Sequence, residues 1–230
     1  MKQTVTRAIV LRRTDYGEAD RILTLLTPDQ GKLSLLAKGV RRVKSKLAGG
    51  IELFSTSDIT FIRGRGEVGT LVSARLEKHY ANIVQDLDRT MLGYELIKML
   101  HKNTEDEPES SYFSLLEQAF EALNDPVVAP DLARLWFFAQ LLRLSGHEPN
   151  LQLDTQGYRL QADKMYDFSF EQVAFAPSEH GRFGAGHIKF LRLAVSPYSA
   201  KTLSQVQGST EFLAAIAPLV HTMRTTFLRV

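Results

Sequence analysis

The sequence predicts an α+β chain: a small five-stranded barrel in the first eighty residues, then a largely helical remainder. Three observations carry that expectation. Short β-branched and aliphatic runs separated by turn residues fill residues 1–80, and helical spacing takes over after Tyr80. Charge divides at the same place, with 15 Lys/Arg against 8 Asp/Glu in residues 1–80 (net +7) and 13 against 18 in residues 81–230 (net −5). The expected domains are therefore 1–80 and 81–230. A basic third joined to an acidic remainder suits a chain whose first part meets a polyanion and whose second part meets proteins or solvent.

The predicted strands are Thr4 to Arg13, Arg21 to Thr27, Lys32 to Ala37, Asp58 to Arg63 and Val68 to Ala74. Asp15-Tyr16-Gly17-Glu18 turns the first pair, and Thr27-Pro28-Asp29-Gln30-Gly31 turns the second, with Pro and Gly where such turns use them. Beyond Tyr80, Leu87, Met91, Tyr94, Ile97, Met99 and Leu100 recur at helical spacing up to His101. The polar stretch Asn103 to Ser110 reads as a loop, and Ser110 or Ser111 caps a helix over Tyr112 to Leu123. Pro130 opens a helix that passes Leu135, Phe138 and Leu142 to Ser145, with Gly146 just past its end. An irregular insert is expected over about 150–208, with one helical stretch at Ile188 to Ala194. A last helix covers Thr210 to Leu228, and Pro218 should kink or split it.

Composition narrows the function classes. The 230 residues contain no run of eighteen apolar residues, and charge interrupts the first twenty too early for a secretory signal. A cytoplasmic, nucleoid-associated location without membrane is expected. Zero cysteines exclude disulfides, thiol catalysis and thiolate zinc. The six histidines show no H-x-x-x-H pair on a convincing helix, and neither G-x-S-x-G nor a two-metal carboxylate cluster stands out. No catalytic site, cofactor or metal is therefore expected.

Lys38, Arg41, Arg42, Lys44 and Lys46 place five cations within nine residues, with no acid until Glu52. Exposed cations in one loop neutralise phosphates and release counterions without reading sequence. Arg63-Gly64-Arg65-Gly66-Glu67-Val68-Gly69 contains G-x-G-x-x-G, but a strand-like run follows it, so it reads as a hairpin turn rather than a dinucleotide loop. Arg63 and Arg65 add candidate phosphate contacts there, on a hairpin expected to neighbour the first basic loop. Small barrels of the OB type also stack bases on aromatic faces. Phe61 alternates with Ile59 and is assigned to the core, Phe54 stays open, and Tyr16, in a turn, is the stacking candidate. Trp136-Phe137-Phe138 with Leu141 and Leu142 is read as helical core.

Taken together, the run from Val10 to Arg21, Ala37-Lys38-Gly39-Val40-Arg41-Arg42, and Gly64 to Val68 with Leu71 closely resemble the RecO family in order and spacing. The resemblance is specific over residues 5–76. It continues through Leu144-Ser145-Gly146-His147-Glu148-Pro149, similar to a helix-ending L-x-G-x-x-P, and through Phe227-Leu228. It implies an N-terminal OB fold, a helical C-terminal domain and the role of a recombination mediator. Such proteins bind single- and double-stranded DNA, anneal complementary strands, act with RecR and single-stranded-DNA-binding protein (SSB), and help load RecA. An OB-fold RNA-binding or translation-associated protein is the alternative that composition and charge allow.

Many members of that family carry a four-cysteine zinc site beginning C-x-x-C-G. Aligning Gly157 with its glycine puts Leu153 and Gln156 at the first two cysteines, and the second pair falls near Ala176 and Glu179. Without those ligands the segment 150–180 must be held by packing and hydrogen bonds. For the acidic, hydrophobic tail of SSB the helical domain must offer an apolar groove edged by a cation. Arg134 is the candidate cation, with Leu141 and Leu144 as groove residues.

Overall fold

The structure, a computed structural model, describes residues 3–64, 66–105 and 109–230. Its first five strands are β1 (Gln3–Tyr16), β2 (Asp20–Thr27), β3 (Gly31–Ala37), β4 (Ser55–Ile62) and β5 (Val68–His79). β1–β2, β2–β3, β4–β5 and β1–β4 pair antiparallel, whereas β3 and β5 pair parallel. The sheet therefore closes on itself in the order β1-β2-β3-β5-β4, the layout of an OB-type barrel. Alternation directs Ala8, Val10, Leu23, Leu25, Leu33, Leu35, Ile59, Phe61 and Leu71 into one core. A one-residue slip in β3, where buried and half-buried positions strictly alternate, would turn Leu33 and Leu35 outward.

Three strands are longer than the pattern of apolar residues suggests. β1 continues through Asp15 and Tyr16, which pair with Arg21 and Asp20, so the turn narrows to Gly17, Glu18 and Ala19 around a positive φ of 56° at Gly17. β4 begins at Ser55 and β5 ends at His79, the two residues pairing across the ladder. These extensions are built largely of polar residues, buried at Ser55, Thr56 and Ser57 and exposed at the ends of β1 and β5, so hydrophobic alternation misses them. The expected hairpin after Ile62 is present, with Arg65 lying outside the described residues; Gly69 is buried where a Cβ would sit 2.8 Å from both the Ile62 carbonyl oxygen and a methyl of Leu35, so the site has no room for a side chain.

The helices α1 (Ala81–Gln85), α2 (Leu87–Asn103) and α3 (Ser110–Asn124) pack on this barrel. Phe54, at a φ of 55°, is the bridge: it is buried, edge-on to Tyr94 at 5.2 Å and to Phe120 at 5.6 Å. Gly93 makes room for it, since a Cβ there would approach the Phe54 ring to 2.6 Å. Cations of the barrel fasten the helices: Arg7, which also pairs with Glu77 of β5 at 2.9 Å, pairs with Glu117 of α3, Lys78 pairs with Glu121 at 2.7 Å, and the Lys32 ammonium donates to the Thr104 carbonyl at 2.6 Å. Residues 1–124 accordingly form one compact unit and 125–230 a second. Residue 80 marks the change of secondary structure; the break in packing comes after Asn124.

The second unit is built on α4 (Pro130–Leu144), which is buried on nearly every side. Pro130 occupies its first turn. Its end is a Schellman motif: Gly146, at φ 78°, donates to the Arg143 carbonyl at 3.1 Å, and His147 donates to that of Leu142 at 2.8 Å. Around it lie a three-stranded sheet and three helices. The sheet is β6 (Asn150–Asp154), β7 (Tyr166–Ser169) and β8 (Ala174–Pro177), in the order β6-β8-β7. The helices are α5 (Ala185–Val195), α6 (Ala200–Ser204) and α7 (Ser209–Phe227). The stretch expected to be irregular is thus an ordered sheet with helices, and α7 passes through Pro218 without being split.

The segment 150–180 shows what holds it. One Asp154 carboxylate oxygen accepts the N–H of Gln156 at 2.9 Å and of Tyr158 at 3.0 Å, closing the turn at Gly157. Behind the sheet, Tyr166, Phe168, Phe175 and Phe183 form a cluster of edge-to-face rings, Phe168 to Phe175 being 5.2 Å and Phe175 to Phe183 5.6 Å apart.

Candidate nucleic-acid interface

Two connections meet at one rim of the barrel. Because Arg21 pairs with Ala37 and Tyr16 with Asp20, the β1–β2 turn lies beside the start of the β3–β4 connection. The base of that connection is pinned: Gly39 donates its N–H to the Asp20 carboxylate at 2.6 Å, Arg41 donates its N–H to the Ala19 carbonyl at 2.9 Å, and Val40 is buried between them. Local turns follow, Arg42 N–H to Gly39 and Ser45 N–H to Arg42, and a short 3-10 turn at Ala48–Gly50 returns the chain to the barrel. A fixed backbone thereby holds Lys38, Arg41, Arg42, Lys44 and Lys46 in water, all five exposed.

Arg41 lies 3.6 Å from Asp15, and Arg21 pairs with the same carboxylate at 2.8 Å. The hydrogen bond from Arg21 and the nearby Arg41 hold the Asp15 carboxyl below its ordinary value, against a weaker opposing effect of desolvation. Lys38, Arg42, Lys44 and Lys46 make no ion pair among the described residues. Tyr16 closes β1 at this rim with 56% of its surface exposed, so its ring face is open to a base.

The rim also contains cations that the sequence reading placed only in a strand. Arg12 is exposed because the β1–β2 register shifts between Val10 and Arg12: Val10 and Leu11 are both buried, and Arg12 is turned outward. Arg13 pairs with Glu52 at 3.0 Å. A bulge cannot be located from alternation, which left Arg12 without an assigned face.

Arg63 stands elsewhere. Its guanidinium donates to Gln30 at 3.0 Å, in the turn that precedes β3, whereas the basic connection leaves the far end of that strand. Seven residues of strand separate the two places, on the order of 20 Å. The hairpin expected to neighbour the basic loop is therefore at the opposite end of β3, and Arg65 lies outside the described residues. Phe61 is core as expected, and Phe54, left open by the sequence, is enclosed by the helices.

In the second unit an apolar groove of about 640 Å³ runs between α4 and α7. Leu135, Phe138, Leu213 and Ala217 line it, and Arg134, His221 and Arg224 edge it. Arg134 pairs with Asp131 at 2.8 Å, and the Arg224 guanidinium lies 4.5 Å from the centre of the Phe138 ring. Leu141 is fully buried and Leu144 half-buried, and neither lines the groove. Leu135 and Phe138, nearly two helical turns nearer the start of α4, line it instead. Among the described residues no helix is long and apolar enough to cross a membrane, and no three His, Asp or Glu side chains gather as a metal site.

Fold and surface define a class: an α+β protein on an OB-type barrel with an exposed basic loop at one rim. The chain belongs to the RecO family. The family's "Recombination protein O N terminal" model matches residues 1–80 and its "Recombination protein O C terminal" model matches residues 84–225. The chain is 36% identical over 148 residues to the DNA repair protein RecO of Dehalococcoides mccartyi, covering 64% of this chain and 58% of that relative. It is 37% identical over 148 residues to the DNA repair protein RecO of Rhodopirellula baltica, covering 63% and 54%. With the protein of the same name from Halalkalibacterium halodurans it shares 32% identity over 168 residues, covering 73% and 65%. The chain thus spans less than two thirds of the length of these relatives.

Proposed function

We propose that this protein is a non-catalytic DNA-repair and recombination mediator of the cytoplasm and nucleoid. Its barrel rim binds single- and double-stranded DNA and anneals complementary strands, and the protein acts with RecR and SSB to help load RecA. The observation that carries this reading is the pinned loop with four exposed cations that make no ion pair among the described residues. Fixed, unpaired cations bind phosphates without first breaking a salt bridge or ordering a chain. Screening two strands at once lowers their repulsion while Tyr16 holds a base by stacking, and no bond is made or broken.

The test is the salt dependence of single-strand binding. With about five phosphates neutralised, log affinity falls against log salt with a slope of about −3.5, at roughly −0.7 per contact. Changing Arg41, Arg42 and Lys44 together to Ala reduces the slope by about 2 and slows annealing while the barrel stays folded. A folded triple variant with unchanged affinity and slope puts the DNA path elsewhere.

The groove between α4 and α7 suits the acidic, hydrophobic tail of SSB: apolar side chains receive the tail's apolar residues, and Arg134 and Arg224 face its carboxylates. Replacing Arg134 by Glu weakens tail-peptide binding, measured by fluorescence anisotropy, and leaves binding of naked DNA nearly unchanged. Equal loss of both removes Arg134 from the site.

A further inference from the structure

Helix α2 has two apolar faces, and only one is covered. Leu92, Leu96, Ile97, Met99 and Leu100 are buried against the first unit. Leu87, Met91 and Tyr94 are 76%, 61% and 47% exposed, and Val84 on the preceding α1 is 54% exposed. The spacing of Leu87, Met91 and Tyr94, four then three residues, puts them on one stripe. Three exposed hydrophobic side chains in a row on one helix are a contiguous patch, not the scattered apolar surface of an ordinary exterior.

The ends of the stripe are charged with opposite sign. Asp86 and Asp88 are exposed at the N-terminal end, and Lys98 and Lys102 at the C-terminal end. Asp86 is engaged as the helix cap, accepting the Arg89 N–H at 3.0 Å. Asp88, Lys98 and Lys102 make no ion pair among the described residues. This pattern is complementary to itself when two copies of the helix run antiparallel. A two-fold axis between Met91 and Tyr94 brings Met91 of one copy onto Tyr94 of the other, and Asp88 of each beside Lys98 of the other. A parallel pairing would oppose like charges.

We infer that the α2 stripe is a two-fold interface between two copies of this chain. Its occupant is not nucleic acid, because the centre of the stripe is apolar and offers a run of phosphates no cation, and the two lysines at one end are matched by two carboxylates at the other. A single helix stripe is smaller than the roughly 800 Å² per partner of a stable complex, so the dimer is weak and reversible. If the barrel rim binds DNA as proposed, a two-fold pair carries two basic rims, hence two strands, on one particle.

Sedimentation of the full chain without DNA, from about 1 to about 100 µM, spans the range in which such small interfaces associate. The expected weight-average mass rises from 25.9 kDa toward twice that value. Met91→Lys holds it at the monomer value with unchanged circular dichroism, since Met91 is on the surface. Asp88→Lys and Lys98→Asp each weaken association about tenfold or more, as like charges then face each other, and the double variant restores it. A constant 25.9 kDa across the range overturns the inference. So does a dimer indifferent to Met91→Lys, or a double variant no better than either single one. Because DNA is absent, a failure of the DNA-binding reading leaves these outcomes unchanged.

Discussion

Asp154 shows how a single side chain can hold a turn in a segment that has no cysteine ligands. Its carboxylate closes the turn at Gly157 by accepting two backbone N–H groups, and such side-chain caps are each worth about 1–2 kcal/mol. Asp154→Ala therefore destabilises the second unit by about that amount, whereas Asp154→Asn, which keeps an acceptor oxygen, costs much less. Urea unfolding followed by Trp136 measures this directly, because it is the chain's one tryptophan and lies in that unit. The same signal should not respond to chelator, and metal analysis of purified protein should find no stoichiometric zinc. One equivalent retained against chelator would reveal a His/carboxylate site. Asp167 adds a pH dependence of known sign. Ser178 and the Arg182 N–H hydrogen-bond its carboxylate and lower its pKa from 3.8. Its contribution is present above the usual carboxylate range and disappears as pH falls through the lowered value.

Among the elements, the β3–β4 connection is rigid at its base and charged at its crown. Asp15 is its internal brake, held ionised beside Arg21 and Arg41. Asp15→Asn removes one negative charge from the rim and releases both arginines, so DNA affinity rises and the salt slope steepens by up to about 0.7, one further phosphate contact. Stability changes little, as surface pairs of this kind contribute about 0–1 kcal/mol. A titration at two salt concentrations checks the sign; weaker binding would mean that Asp15 positions the loop rather than opposing the ligand.

At the scale of the molecule, the barrel depends on the helices that follow it. Phe54, Tyr80 and Leu26 are buried in the first unit, and Arg7, Lys78 and Lys32 bond to α2, α3 or the residues between them. A chain ending at residue 80 should expose that apolar surface and aggregate or unfold. A chain ending at Asn124 should fold cooperatively and keep the full salt slope of DNA binding. Circular dichroism with thermal unfolding of the two truncations decides this, and a stable, monomeric 1–80 barrel would show that the helices are only appended.

The sequence by itself determined the order of the five barrel strands and of α2, α3, α4 and α7, the position and density of the basic loop, the core role of Phe61 and Trp136, and the family resemblance. Each of these is encoded locally, by alternation, helical spacing, turn residues or adjacent charges. Tertiary structure alone decided which cations are available. Arg7, Lys32 and Lys78 count among the cations of the basic first third yet hold helices distant in the chain, and Arg63 belongs to the far end of β3 because strand pairing, not sequence proximity, sets its neighbours. Arg12 faces outward only through a register shift, and the groove by Arg134 exists only where α7 returns to α4. Local patterns state what a residue can do. Long-range pairing and packing decide which of those possibilities water, another helix or a ligand will take.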